Sequence, residues 1–124
     1  MDLTQTQLLF NRRNNAANML RGCYNRLCVS RDMKELPELL TASKYHIKSL
    51  ISAQMNIIES GVKITSHPAA KPQNFDSLLA EMKNHSDEKT LVELSKELFA
   101  ILQTKYEETM RNLEARSPEA DRYE

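Results

Sequence analysis

Apolar residues recur three, four or seven positions apart through four stretches of the chain, the spacing that places them on one face of an α-helix. In the first stretch Leu9, Ala16, Leu20, Cys23 and Leu27 form a stripe that Met19, Tyr24 and Cys28 widen. Thr4 and Gln7 fit a capping box ahead of it, so a helix is expected over about 5 to 29. The opposite side carries Asn11, Asn14, Asn15, Asn18 and Asn25 among the arginines. Asn side chains compete for the backbone and weaken a helix, so packing has to hold this one.

A short connection from Ser30 to Leu36, with Asp32 and Glu35 as a capping pair, leads into a second helix over about 37 to 59 with Pro37 in its first turn. A loop this short makes the two helices antiparallel neighbours. Leu36, Leu40, Ile47, Leu50, Ile51, Gln54 and Ile58 share one side of the second helix, flanked by Leu39 and Ile57, and Gly61 suits a left-handed cap at its end. Val62 to Gln73 contains Pro68 and Pro72 and no period; it is expected to cross a bundle end with Val62 and Ile64 turned inward.

Asn74 is a strong N-cap for a short helix over about 75 to 84, whose Phe75, Leu78, Leu79 and Met82 make one apolar face. Ser86 is the expected cap of a last helix over about 87 to 115. Its stripe is Leu91, Leu94, Leu98, Ile101, Leu102, Tyr106, Met110 and Leu113, with acids at its start and Arg111 and Arg116 near its end, each sign suiting the helix dipole. The remainder is polar and contains Pro118. The expectation is an all-α, antiparallel bundle of three long helices and one short helix without a sheet. It forms one domain over residues 1–115 with a flexible polar tail over 116–124.

Composition narrows the chemistry. With 2 Gly in 124 residues the chain cannot supply the turns of a sheet protein, a glycine-rich phosphate loop or a dinucleotide fingerprint. No apolar run approaches the roughly 18 residues of a membrane span, and the first ten residues lack the pattern of a signal peptide, so a cytoplasmic protein is expected. Cys23 and Cys28 sit five apart on one helix, on different sides of it, and are expected to be reduced, buried thiols. Neither they nor His46, His67 and His85 have metal-ligand spacing. No cofactor, metal or catalytic group is therefore assigned.

Tyr45-His46-Ile47-Lys48-Ser49 puts a histidine in mid-helix, which resembles histidine phosphotransfer domains. Those domains place a lysine three residues after the histidine and a small residue next, whereas Lys48 is two residues on and Ile47 and Leu50 fall at core positions. His46 is accordingly read as a solvent or groove histidine. Ser60 to Lys63 matches S-x-x-K without supporting residues, and Glu107 and Glu108 read as a solvated face.

Charge is uneven although Lys plus Arg and Asp plus Glu are both 17. Residues 1–31 hold five arginines against Asp2, and residues 84–124 hold ten acids against six bases. The basic, Asn-rich side of the first helix, with Asn11, Arg12, Arg13, Asn15, Asn18, Arg21 and Arg26, is the candidate interaction surface. A pI near 6.8 and 6% aromatic residues favour a protein partner or a second copy over nucleic acid. Gly22 in this helix is expected to mark a close helix crossing. The functional expectation is a non-catalytic interaction module (adaptor, chaperone-like or structural subunit) that docks by a helix face in coiled-coil fashion. A nucleic-acid-associated protein is the alternative and a phosphotransfer or other small helical enzyme domain the third reading.

Overall fold

The computed structural model describes the backbone of residues 3–64 and 74–122 and the side chains of 4–64 and 74–116. Among the described residues there are four helices: α1 (Leu3–Val29), α2 (Glu35–Glu59), α3 (Phe75–Met82) and α4 (Glu88–Arg122). The described residues contain no strand, so the chain is all-α, three long helices and one short one. None of these helices is long and apolar enough to cross a membrane.

Local chemistry sets the helix ends. Asn74, extended at φ −139° and ψ 175°, accepts from the Ser77 amide at 2.8 Å, while the Ser77 hydroxyl accepts from the Asn74 amide at 3.1 Å, closing a capping box on α3. The cap of α4 is Asp87 rather than Ser86: its carboxylate accepts from the Thr90 amide at 3.2 Å and the Thr90 hydroxyl at 2.9 Å. A carboxylate three residues ahead of an orphan amide satisfies it and also meets the positive end of the helix dipole. Asp32 and Glu35 do not form a capping pair. Asp32 takes the Lys34 amide at 2.9 Å, but Glu35 turns back to α1, where Arg26 offers two donors. At the other end of α2, Gly61 takes φ +89°, the left-handed geometry that a side chain would strain. The backbone of α4 runs on to Arg122, through the segment expected to be a tail. Glu114, Ala115 and Arg116 are good helix formers that carry it past Leu113.

Gln54 and Thr109 fix the helix directions. Gln54 bonds Arg13, in the first half of α1, and also the carbonyls of Lys83 and His85, just before α4. Thr109, far along α4, donates to the Leu27 carbonyl at the far end of α1 at 2.7 Å. Helices α1 and α4 therefore run the same way with α2 antiparallel to both. Helix α3 lies against α1 and α4, its Phe75 ring stacked on Tyr24 with centroids 4.3 Å apart and planes 6° from parallel.

The core is a set of seams rather than broad stripes. Leu20 and Leu27, Leu36, Leu50 and Ile57, Met82, and Leu91, Leu98 and Leu102 are fully closed off from solvent. Along α2 the buried positions are Leu36, Ser43, Ile47, Leu50, Gln54 and Ile57, with Ala53 beside them. That alternation of three and four keeps one line of a helix toward its neighbours. The seam is narrower than the sequence stripe implied, so Ile51 and Ile58 are only partly buried while Ile57, expected at the flank, is central. Met19 is 57% exposed, and Cys28 lies in the open instead of in the core. No helix crosses at Gly22: a Cβ built there would meet nothing within 4 Å. Val62 and Ile64 are half-buried; residues 65–73, with the rest of the expected crossing segment, lie outside the described residues.

Two substitutions test this packing by urea unfolding. Leu98→Ala is expected to cost about 2 to 5 kcal/mol and Ile51→Ala about 1, because only the first empties a closed site; equal costs would reject the narrow seam. Gly22→Ala is expected to raise stability by roughly 0.5 to 1 kcal/mol, since the helix interior gains a helix former and nothing obstructs the methyl group. A loss of stability would mean that some group does approach that backbone.

Candidate interaction surfaces

The basic face of α1 is largely engaged within the fold. Arg13 is half-buried: its Nη1 donates to Gln54 Oε1 at 3.3 Å, its Nε and Nη2 donate to Asn14 Oδ1 at 3.3 and 3.2 Å, and its guanidinium carbon stands 4.8 Å from the Phe10 ring centre. Burial lowers its pKa from the usual guanidinium value. Arg21 pairs with Asp76 at the start of α3 at 2.9 Å, both side chains well exposed. Arg26 makes a two-pronged bond to Glu35, 2.8 and 2.7 Å, and Glu35 also accepts from the Ser30 hydroxyl at 2.8 Å. Asn11 and Asn18 are exposed and border none of the grooves described below. Of the seven candidates, Arg13 lines one concavity, and Arg12 and Asn15 line another together.

That concavity, about 610 Å³, lies between α1 and α2. Arg12, Asn15 and Met19 form one wall; His46, Lys48, Ser49, Ser52 and Asn56 form the other; Ala16 and Ala53 are the buried residues between them. His46 is half-buried, with the Tyr45 ring edge-on at 5.5 Å between centroids.

A second groove, about 360 Å³, lies between α2 and α4, where sequence reasoning placed nothing. Ile47, Ile51, Val92 and Phe99 make its apolar surface, and Lys44, Lys48 and Lys96 stand around it without a carboxylate in the lining. Lys44 Nζ sits 5.4 Å from the Phe99 ring centre, a cation on an aromatic face. Further along the same pair of helices the walls become Met55, Glu59 and Glu88. The missed signal lay on α4, where Val92 and Phe99 stand seven apart beside the core seam and face Ile51 and the seam residue Ile47 of α2.

The remaining chemistry is local. Cys23 is buried, with burial raising its pKa against a hydrogen bond with Ser43, and both cysteines are free. His85 Nε2 meets Glu81 Oε2 at 2.9 Å one turn back. No three His, Cys, Asp or Glu side chains among the described residues are grouped to hold a metal ion, and His67 lies outside them. Comparison with protein-family models, with curated proteins and with solved structures finds no match, so any functional reading rests on these residues alone.

The Arg26 pair makes a pH prediction. The Arg26 fork, with help from the Ser30 hydroxyl, holds the Glu35 carboxyl down to about 2 from an ordinary 4.5. A group depressed on folding contributes stability above its unfolded value and loses that contribution as the pH falls through its folded one. Urea melts are therefore expected to show a loss of stability between pH 4.5 and about 2 that Glu35→Gln diminishes. Identical pH dependence in the two proteins would remove this pair from the account.

Proposed function

We propose that the protein is a non-catalytic docking module that takes an amphipathic helical segment of a partner protein, acidic along its flanks, in the groove between α2 and α4. The observation that carries this reading is the combination of an apolar trough, Ile47, Ile51, Val92 and Phe99, with three lysines and no acid around it. A helix that presents apolar anchors at i, i+3, i+4 and i+7 has the shape for a trough between two helices, and burying those anchors supplies most of the affinity. The lysines act on encounter rate and register more than on affinity. The change from Lys44 and Lys96 at one end to Glu59 and Glu88 at the other gives the bound segment a preferred direction. A cytoplasmic setting, an adaptor or structural role, and partnership with another protein all belong to the same proposal.

Nucleic-acid binding by α1 has less to support it, because Arg13, Arg21 and Arg26 already have partners within the chain. Charge reversal at Arg13 would also disturb the core contact with Gln54, so Arg12 is the informative position for that reading.

Fluorescence anisotropy with a labelled peptide of about fifteen residues, Leu or Phe at i, i+3, i+4 and i+7 and Glu at the flanks, tests the proposal. Saturable binding is expected, weakened about tenfold or more by Lys44→Glu with Lys96→Glu and lost with Val92→Arg, the helical circular dichroism being unchanged. The same peptide with Lys in place of Glu should not bind. Binding indifferent to these changes, self-association that closes the groove, or steeply salt-dependent capture of nucleic acid that requires Arg12 would overturn it.

A further inference from the structure

The groove between α1 and α2 differs in kind from the one just discussed. Its lining is rich in hydrogen-bond donors: the guanidinium of Arg12, the ammonium of Lys48, a ring nitrogen of His46, the amides of Asn15 and Asn56 and two serine hydroxyls. No carboxylate lines it, and among the described residues no acid pairs with Arg12 or Lys48. The next carboxylate along α2, Glu59, lines the adjoining groove on the α4 side together with Glu88. Because α1 and α2 are antiparallel and Arg13 bonds Gln54, Arg12 lies toward Asn56, and Met19 lies about 10 Å away toward His46. One end thus offers a cation and an amide, the other an exposed thioether. Ala16 and Ala53, small and buried, leave room between the walls.

From this arrangement we infer that the α1/α2 groove binds a small phosphate monoester, its anion held by Arg12 and Asn56 and its apolar body lying against Met19. A guanidinium beside neighbouring amide donors, with no carboxylate in the lining of this groove, suits a tetrahedral dianion, which accepts several hydrogen bonds at once. A volume of about 610 Å³ is several times that of a phosphate group, so the space admits the organic part as well. The inference does not depend on the apolar trough between α2 and α4, with which this groove shares Lys48; the stretch toward Glu59 and Glu88 also shares Ser52 and Asn56 with it.

Nuclear magnetic resonance of the full ¹⁵N-labelled chain decides it, with inorganic phosphate and phenyl phosphate as probes titrated at constant ionic strength. Saturable shifts confined to amides of residues 12–19 and 46–56 are expected, with phenyl phosphate binding about tenfold more tightly than inorganic phosphate. Arg12→Gln and, separately, Asn56→Asp should each weaken phenyl phosphate about tenfold, whereas Arg111→Gln, on the exposed side of α4, should leave it unchanged. The same spectra report whether each variant is folded, and two independent exposed positions guard against one that is not. Unsaturable shifts, equal affinity for the two probes, or affinity unaffected by both groove substitutions would overturn the inference.

Discussion

The side chain of Gln54 is the contact on which the arrangement of the other elements turns. It is fully buried on the α2 seam, yet its amide nitrogen donates to the Lys83 carbonyl at 3.1 Å and the His85 carbonyl at 2.9 Å, and its oxygen accepts from Arg13 at 3.3 Å. Carbonyls that follow a helix have no partner within it, and α3 is only eight residues long, so the turn after it gains order from an external donor. One amide thereby joins the α1–α2 hairpin to the turn that starts α4. A buried polar group left without partners costs more than a made bond returns, so such a network rejects alternative placements of the turn more strongly than it adds net stability. Among the described residues no buried side-chain nitrogen or oxygen lacks a partner.

Much of this fold was legible in the sequence because its signals are local. Asn74, Gly61 and the apolar faces of the four helices depend on spacing and on short-range backbone chemistry, and the structure places them accordingly. Gln54 was legible too, as a polar residue on an apolar stripe, though its partners were not. The errors arise where three dimensions decide. Periodicity gives the direction of a face but not its width, so Ile51 looked central and is only partly buried, and Met19, expected to widen the stripe of α1, is exposed. A choice between Ser86 and Asp87 as cap turns on one residue of register, which spacing alone does not resolve.

The candidate site was less legible for a related reason. Long arginine side chains reach residues far along the chain or on the next element, and sequence does not say which: Arg21 finds Asp76 and Arg26 finds Glu35. The basic first quarter and the acidic last third of the chain do not meet in ion pairs: among the described residues none joins α1 to α4. The arginines pair instead with acids from the charge-balanced middle of the chain. What α1 and α4 share is the Thr109 bond and the leucine core. Exposed pairs such as Arg21 with Asp76 contribute little to stability, so they direct the arginines more than they hold the bundle.

Lys48 stands on the ridge of α2 and borders the grooves on both of its flanks. It carries a single ammonium on a flexible stem, and that charge serves one flank at a time. Ligands drawn to it from opposite sides are therefore thermodynamic rivals even though they never touch. Whatever factor the first imposes on the affinity of the second, the second imposes on the first, because both binding orders end in the same doubly occupied state. A shared ridge of this kind couples two sites without any movement of the helices, and the strength of the coupling is set by how much of each affinity passes through the residues they share.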